Sequence, residues 1–191
     1  MSGHLIAIAD CGTSAEKIKM RLEEAGVPAR IVSCTDSAGD IFSGGDVIGV
    51  VLSGSYDSVY EKGSAGIDPG VFSKGVPVLG ICYGIQLEAY ILGGTVEKSG
   101  HPEFGDYEIE VIEDHPLISG IDGPVSMSHN DLVTKVPEGF KVLCRTEDTP
   151  IAAIADDARD IYGVQFHPER SEATVSVIQW FARHCLEKTG K

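Results

Sequence analysis

Residues 76–86 read VPVLGICYGIQ, and this stretch predicts both the fold and the chemistry of the chain. An apolar strand is expected to run into Gly80, and a helical pattern begins directly after Cys82. Gly80 and Gly84 flank the cysteine two residues away on either side, and because glycine has no Cβ, the backbone can turn sharply there. This is the strand–turn–helix context of a nucleophile elbow, with Cys where hydrolases carry Ser.

Cys82 is therefore the candidate nucleophile. The tight turn is expected to hold its sulfur exposed at the carboxyl edge of a sheet. A helix N-terminus lies there, and its partial positive charge favours the thiolate, the reactive form, over the thiol. A buried structural cysteine is the usual alternative for an arbitrary Cys. The flanking glycines and the junction of strand and helix favour the nucleophile.

The composition predicts one globular domain. With 191 residues, 42% hydrophobic and 23% charged, the chain has the size and balance of a single α/β domain, which we place at residues 1–191. No apolar run approaches the roughly 18 residues of a membrane span, and no charged-then-apolar leader opens the chain. We therefore expect a cytoplasmic protein that does not bind a membrane.

Cysteine usage and charge disfavour several function classes. The five cysteines are scattered and never in C-x-x-C spacing, which argues against a disulfide framework and a zinc site. We therefore expect no metal and no cofactor in this chain. The net charge of −14 disfavours nucleic acid as a partner by repulsion, whereas it is compatible with a basic protein partner.

The first half of the chain predicts strands that alternate with helices. Apolar runs at 5–9, 29–34 and 46–52 indicate strands. Residues 13–16 (Thr-Ser-Ala-Glu) indicate a capping box for a helix that ends before Gly26. Continuous apolar strands of this kind are typical of a parallel sheet with helices on both faces.

The second half predicts a short antiparallel section. Short extended segments with tight turns follow one another, and a final helix from about 172 to 186 presents an apolar stripe for packing. We therefore expect an α/β fold with an open, mainly parallel, twisted sheet, helices on both faces and a short antiparallel section. The extended segments are 107–112, 125–133, 140–145, 151–155 and 161–166.

A reactive cysteine needs a base, and the base needs a group that orients it. Of the six histidines, only His167 lies in a context that supplies both, because an apolar strand delivers it to a turn that Pro168 stiffens. Glu169 follows two residues after His167 and can accept the imidazole N–H, as the acid does in a Ser-His-Asp triad. The predicted catalytic set is therefore Cys82, His167 and Glu169.

Attack by the Cys82 thiolate on a carbonyl carbon would create an oxyanion, which needs preorganised donors. The backbone N–H of Tyr83, the residue after the nucleophile, is one expected donor. The loop at Gly54 and Ser55, after the third strand, is expected to supply the other. Gln86 follows Cys82 by one helical turn, so its side chain is expected on the same face as the sulfur.

Three segments carry a family resemblance: 52–55 (LSGS), 79–86 (LGICYGIQ) and 164–169 (VQFHPE). In this order of loop, cysteine and His-Pro-Glu, the chain resembles the class I, or triad-type, glutamine amidotransferases over nearly its whole length. The resemblance implies a flavodoxin-like core and the hydrolysis of glutamine.

The resemblance also implies roles for individual residues. Cys82 would be the nucleophile, His167 the acid and base, and Glu169 the group that orients the imidazole. Gln86 would help to hold the substrate. The alternative for Gln86 is a polar surface residue.

The oxyanion loop departs from the family pattern. Where these enzymes usually have Ser-Gly-Gly-Pro, this chain reads Ser-Gly-Ser-Tyr at 53–56. If the second glycine position requires a positive φ, Ser55 carries a strain of about 1–3 kcal/mol. Alternatively, the loop takes its active form only when a partner docks.

Several segments further resemble the glutaminase part of GMP synthase. In the stretch 127–131 (MSHND), Ser128 and His129 are expected near bound glutamine, and a hydrogen-bonded turn between strands is the alternative. Asn130 stands where these proteins commonly have Gly. The other segments are 53–60, 93–96, 103–105, 136–140 and 152–154.

The resemblance thus implies a ligase subunit of purine biosynthesis. The sequence shows neither a Walker pattern nor a phosphate loop of the ATP-pyrophosphatase type. ATP, Mg²⁺ and xanthosine monophosphate (XMP) are therefore expected on a separate ATP-pyrophosphatase subunit of a heterodimer, which would use the ammonia to convert XMP to GMP. One alternative is the glutaminase subunit of anthranilate or aminodeoxychorismate synthase, and another is a non-catalytic glutamine-sensing subunit.

Overall fold

Residues 3–190, which the computed structural model describes, form an α/β fold around one large sheet. In chain order the elements are β1 (Leu5–Asp10), α1 (Ala15–Glu24), β2 (Ala29–Ser33), α2 (Ala38–Ile41), β3 (Val47–Leu52), β4 (Val78–Ile81), α3 (Tyr83–Leu92), β5 (Thr95–Tyr107), β6 (Glu110–Val111), β7 (Val125–Lys135), β8 (Lys141–Arg145), β9 (Ala153–Asp156), β10 (Ile161–Val164) and α4 (Ser176–Thr189). Short 3-10 helices lie at Pro69–Ser73 and Pro168–Arg170.

The large sheet is mainly parallel. Its eight strands lie in the order β2-β1-β3-β4-β10-β9-β8-β6, and the first five of these run parallel to one another. β9, β8 and β6 continue the sheet in antiparallel pairing. This arrangement confirms the predicted fold class. Each helix within residues 3–190 is too short or too polar to span a bilayer.

Helices cover both faces of the sheet, as predicted. Ile6 and Ile8 of β1 lie in a core cluster that includes apolar residues of α1 and α4. Ala7 and Ala9 point to the opposite face, where they lie in a second cluster with residues of α2 and α3. Successive residues of a strand alternate between faces, so one fully buried strand supplies both cores.

A long strand, β5, was not expected from the sequence. It pairs with β7 in a separate antiparallel two-stranded sheet. The bounds of the predicted segment 107–112 are accordingly wrong: Tyr107 is the last residue of β5, and the rest of the segment contains only the two-residue strand Glu110–Val111. Residues 97–103 (EKSGHPE) are polar and contain Gly and Pro, so they lack the alternation by which a half-buried strand is recognised.

The predicted capping box at 13–16 does not form. Ser14 precedes α1 in a left-handed conformation (φ 68°), and its side chain makes no capping hydrogen bond. Thr13 instead pairs with the loop after β3, where its N–H donates to the carbonyl of Gly54 at 2.9 Å. The backbone before α1 is therefore held by a tertiary contact, which overrides the local capping preference.

Glycines allow α3 to pack directly on the sheet. A Cβ on Gly80 of β4 would lie 2.5 Å from the carbonyl carbon of Gly84, and a Cβ on Gly84 would collide with the carbonyl oxygen of Leu52. Real Cβ atoms do not tolerate such distances, so only glycine fits these positions. The first turn of α3 therefore rests on β3 and β4 without intervening side chains.

Glu88 of α3 is a buried acid without a polar partner. Both of its carboxyl oxygens are buried and have no hydrogen-bond partner within residues 3–190. Burial, with no hydrogen bond from the described residues to compensate for it, raises the pKa of Glu88 well above its usual value. Glu88 is thus held in its neutral form in the core, and it destabilises the fold.

We predict that Glu88→Met stabilises the protein by about 1–3 kcal/mol at pH 8. In the unfolded chain Glu88 ionises near pH 4.3, whereas the folded protein retains the proton, so the wild type loses stability as the pH rises above that value. The measurement is the free energy of unfolding in urea at pH 5 and pH 8. The stability gained by Glu88→Met must be larger at pH 8.

The control for this prediction is Glu16→Met, which replaces an exposed acid of α1. The difference in stability between this variant and the wild type should be about the same at both pH values, because Glu88 is still present. A Glu88→Met gain that is equal at pH 5 and pH 8 would contradict a neutral buried carboxyl group.

Candidate active site

The Cys82 turn connects β4 to α3 in a strained conformation. Cys82 has φ 55° and ψ −102°, a region that non-glycine residues rarely adopt, at a cost of about 1–3 kcal/mol. Its N–H donates to the carbonyl of Val164 in β10 at 2.8 Å. The neighbouring strand therefore holds the turn, and the strand–turn–helix junction lies where the sequence predicts it.

The expected exposure of the Cys82 sulfur is wrong. Cys82 is only 3% exposed, and it lines a cavity of about 80 Å³. The loop after β3 and residues of β7 contribute most of the other walls, so they cover the turn that the sequence left open. The walls include Ser55, Tyr56, Phe104, Ser128 and Asn130.

His167 and Glu169 form a buried pair at the end of β10. The two side chains are almost fully buried, and the imidazole Nδ1 lies 2.8 Å from Oε1 of Glu169. The backbone N–H of His167 donates to the carbonyl of Ser126 in β7 at 2.9 Å. The carboxylate therefore accepts the Nδ1–H and leaves Nε2 free to exchange a proton with another group.

The structure brings Cys82 and His167 together. β4 and β10 are adjacent parallel strands, and Ile81 pairs with Val164, so the residues that follow each strand emerge at the same sheet edge. A Cβ on Gly54 would lie 3.3 Å from Cε1 of His167 and 3.9 Å from Cβ of Cys82. The thiol, the imidazole and the oxyanion-loop glycine thus surround one point.

The electrostatics of this group favour a protonated imidazole. Burial lowers the pKa of His167, but its interactions with Cys82 and Glu169 outweigh burial and raise the pKa to about 9. Burial likewise raises the pKa of Glu169, but the hydrogen bond and positive charge of His167 hold it below its usual value. An imidazolium between the Cys82 sulfur and the Glu169 carboxylate is consistent with both shifts.

The oxyanion loop carries no strain at Ser55. Within residues 3–190, positive φ values outside glycine occur at Ser14, Cys82 and Asp160, and Ser55 is not among them. The strain considered from the sequence is therefore absent. Tyr83 is the first residue of α3, so its N–H has no partner inside the helix and is available as a donor.

Asp131 anchors the loop that follows β3, a role that sequence reasoning missed. Its carboxylate accepts hydrogen bonds from the hydroxyl groups of Ser58 and Tyr60, the latter at 2.8 Å. Asp131 lies in β7 and is buried. The loop after β3 is thereby attached to the small sheet. The motif 127–131 contains Asp131, but nothing local in the sequence indicates which residues it contacts.

Gln86 is buried, which rules out a polar surface residue. It lines the cavity, and its Nε2 donates to the backbone carbonyl of Asp131 at 2.7 Å and to Oε1 of Gln165 at 3.2 Å. Gln165, which sequence reasoning did not select, is fully buried and donates from Nε2 to the Cys82 sulfur at 3.7 Å. The signal that could have selected Gln165 is its position two residues before His167.

Ser128 and His129 differ in how they reach the cavity. The backbone carbonyl of Ser128 accepts the Cys82 S–H at 3.6 Å, so this residue contacts the sulfur directly. The ring of His129 is held by protein groups on both nitrogens, with the carbonyl oxygen of Asp131 at 3.0 Å and Oε2 of Glu103 at 3.3 Å. Burial lowers the pKa of His129, and the hydrogen bond and charge of Glu103 oppose this.

Glu103 belongs to a buried network that the sequence did not reveal. Its carboxyl oxygens accept from the hydroxyl groups of Thr146 at 2.6 Å and Thr149 at 2.5 Å, in addition to facing His129. The imidazole Nε2 of His129 and Oε2 of Glu103 face each other at 3.3 Å, so a hydrogen bond joins the ring to the network. The network supports the β5–β7 sheet behind the cavity.

We predict that Glu169→Gln lowers the pKa of His167 from about 9 toward its ordinary value of 6.5. In the wild type, the folded imidazole keeps its proton between these two values while the unfolded one loses it. Stability therefore falls as the pH rises through this window, and the fall should be smaller in Glu169→Gln. NMR titration of the imidazole C–H signals measures the pKa directly.

The control is Glu172→Gln, which removes an exposed acid from the same segment. This variant should leave the pKa of His167 unchanged. An unchanged His167 midpoint in Glu169→Gln would refute the electrostatic role of this carboxylate.

Comparison with known proteins relates the whole arrangement to one family. The sequence model of the family described as glutamine amidotransferase class-I matches residues 7–184. The GMP synthase (glutamine-hydrolyzing) of Leifsonia xyli subsp. xyli is 47% identical over 169 residues, 84% of this chain and 33% of that protein. That of Lactobacillus delbrueckii subsp. bulgaricus is 42% identical over 183 residues, 93% of this chain and 35% of that protein. The chain thus spans about one third of the length of these curated relatives.

Two solved structures resemble the chain over nearly its full length. A Thermoplasma acidophilum protein, described as a candidate subunit of GMP synthase, superposes with a TM-score of 0.87 at 27% identity, covering 98% of this chain and 96% of that one. A glutamine amidotransferase from Thermotoga maritima gives a TM-score of 0.70 at 18% identity, with 98% of each chain covered, which concerns the fold alone. With a family match across most of its length, this chain belongs to the glutamine amidotransferase class-I family.

Proposed function

We propose that this chain is the glutaminase subunit of a GMP synthase. It hydrolyses glutamine and passes the ammonia to a separate ATP-pyrophosphatase subunit, which aminates XMP to GMP. The observation that carries the proposal is that the buried side chains of Cys82 and His167 lie together and that Glu169 orients the imidazole. The fold and sequence around them are similar to those of GMP synthases.

The reaction uses the three side chains in turn. The Cys82 thiolate attacks the side-chain amide carbon of glutamine and forms a tetrahedral oxyanion. The imidazolium of His167 protonates the departing nitrogen, and ammonia leaves from a glutamyl thioester. The neutral imidazole then takes a proton from water, which attacks the thioester and releases glutamate. Glu169 keeps the imidazole oriented and stabilises its charged form.

Backbone donors stabilise the oxyanion in this proposal. We assign the N–H groups of Gly54 and Tyr83 to this role, since both residues adjoin Cys82. Of the three residues expected to bind substrate, Ser128 lines the cavity at the sulfur and is positioned for contact with glutamine. Gln86 also lines the cavity, and both of its hydrogen bonds to protein are donated by Nε2, so we assign its Oε1 to contact with glutamine. His129 lines the cavity too, but protein groups face both of its ring nitrogens, so it acts through the groups that it holds.

We predict that Gly54→Ala reduces kcat for glutamine hydrolysis about 10- to 100-fold. The new Cβ would lie 2.7 Å from Oγ1 of Thr13 and 3.3 Å from the imidazole, so the loop or the base must shift. The measurement is steady-state release of glutamate, with thermal unfolding to verify the fold.

The matched control is Gly66→Ala in the same loop, where a Cβ has no neighbour within 4 Å and φ is not left-handed. Its kcat should stay about equal to that of the wild type. Equal kcat for Gly54→Ala and the wild type would exclude Gly54 from the oxyanion site.

The partner is proposed from similarity and charge. The Thermoplasma acidophilum protein described as a candidate GMP synthase subunit is matched over nearly its whole length, and the named GMP synthases over about one third of theirs. The net charge of −14 favours a partner with a basic docking surface. ATP and Mg²⁺ belong to that partner in this proposal, and this chain needs no cofactor of its own. The cytoplasmic location stays a prediction.

The decisive experiment mixes the chain with a two-subunit-type ATP-pyrophosphatase, Mg²⁺-ATP, XMP and either glutamine or free ammonia. We expect GMP from both nitrogen sources, and Cys82→Ala should abolish only the glutamine-dependent reaction. A Cys82→Ala variant that still uses glutamine would refute the mechanism.

Two further experiments separate the alternatives. Co-purification with a chorismate-binding partner instead of an ATP-pyrophosphatase would assign the ammonia to anthranilate or aminodeoxychorismate synthesis. Failure of a glutamine-analogue electrophile to label Cys82, even with partner bound, would indicate a non-catalytic glutamine-sensing protein.

A further inference from the structure

We infer that Gln165 is a further catalytic residue, which donates a side-chain N–H to the Cys82 sulfur and stabilises its thiolate, and that Gln86 is the positioning residue that orients it. The inference deepens the proposed function and rests on it for the role of Cys82 as nucleophile. Gln165 directly follows β10 and is fully buried beneath the site.

The contact with sulfur is direct. Nε2 of Gln165 lies 3.7 Å from Sγ of Cys82, within the range of hydrogen bonds to sulfur. The backbone of Gln165 is held as well, because its N–H donates to the carbonyl of Ala152 at 2.8 Å. Both ends of the residue are therefore constrained, and the amide is preorganised rather than recruited when substrate binds.

The backbone carbonyl of Asp131 determines, through Gln86, which way the side-chain amide of Gln165 is oriented. The backbone carbonyl of Asp131 only accepts hydrogen bonds, so Gln86 must present its NH₂ to it. The same NH₂ donates to Gln165, which must therefore present its oxygen to Gln86. The remaining NH₂ of Gln165 then points at the sulfur. The donor and acceptor roles are therefore fixed: Gln86 donates to both Asp131 and Gln165, and Gln165 donates to the Cys82 sulfur.

Two kinds of partner compete for the sulfur. The carbonyl of Ser128 accepts a hydrogen bond at 3.6 Å and can do so only from the neutral thiol. The NH₂ of Gln165 donates, and a hydrogen bond from a donor is stronger to a thiolate than to a thiol. The neighbouring imidazolium of His167 acts in the same direction. Removal of the Gln165 donor should therefore shift Cys82 toward the thiol.

The test is alkylation of Cys82 by iodoacetamide without glutamine. The sulfur forms a bond to carbon, iodide leaves, and the thiol proton goes to solvent, so the rate reports the thiolate population. Mass spectrometry of the Cys82 peptide separates this site from the other four cysteines. We expect Gln165→Met to react about 3- to 10-fold more slowly than the wild type at pH 7. At about pH 10, where cysteine thiols generally ionise, the two rates should agree.

Gln165→Glu is the second variant, in case the Met variant does not fold. As a carboxylate it keeps the size of the side chain and the hydrogen bond from Gln86, replaces the donor toward sulfur by an acceptor, and adds a negative charge that also disfavours the thiolate. It should react at pH 7 at least as slowly as Gln165→Met. Gln179→Met, at an exposed position of α4, is the control and should react like the wild type. Wild-type rates at pH 7 in both folded Gln165 variants would overturn the inference.

Gln86→Met tests the positioning role. It should slow alkylation at pH 7 by less than Gln165→Met does, and the double variant should react like Gln165→Met alone, because the effect passes through Gln165. If Gln86→Met alkylates at the wild-type rate and instead raises KM for glutamine, Gln86 binds substrate and does not position Gln165.

The two proposals fail in different ways. Alkylation uses no glutamine and no partner, so its rate can be measured whether or not the protein hydrolyses glutamine. Absence of glutamine hydrolysis would refute the proposed function, and the alkylation rates would still test the contact of Gln165 with the sulfur. Conversely, normal glutamine hydrolysis in Gln165→Met with an unchanged alkylation profile would refute only the role of Gln165.

Discussion

The parallel pairing of β4 with β10 is the constraint on which the site depends. Cys82 leaves β4 in a strained left-handed turn, and the carbonyl of Val164 in β10 holds its N–H. After β10 the chain continues through Gln165 to His167, so the strand that holds Cys82 also leads directly to the imidazole. A strain of about 1–3 kcal/mol persists only where the surroundings over-determine it, and here backbone pairing does so.

The small β5–β7 sheet forms part of the cavity wall and is linked to the large sheet through Asp131. Asp131 of β7 accepts on its backbone carbonyl from Gln86 and His129, and on its carboxylate from Ser58 and Tyr60. One residue therefore joins α3, the loop after β3 and the second sheet. Such buried polar groups are stable only when their partners are all present, which makes the geometry of the cavity specific.

The buried polar groups of this protein follow two opposite patterns. Around the cavity, His167 with Glu169 and His129 with Glu103 are paired, and the pairing offsets the cost of burial. On α3, Glu88 is equally buried but has no partner within residues 3–190, so its cost is not offset. Paired acids serve the site, whereas nothing in the structure explains why position 88 carries an acid.

The local patterns in the sequence determined the mainly parallel α/β fold, the turn at Cys82 and the choice of His167 with Glu169. Apolar runs, flanking glycines and a His-Pro-Glu turn are short-range signals, which are legible without any knowledge of distant contacts. β5 was not predicted because its polar residues do not alternate with apolar ones. The predicted capping box does not form because Thr13 pairs with the distant Gly54. Only the tertiary structure decided the burial of Cys82, the anchoring by Asp131, and the contact of Gln165 with the sulfur. Each of these joins residues far apart in the chain through hydrogen bonds or packing, and such contacts leave no periodic trace in the sequence.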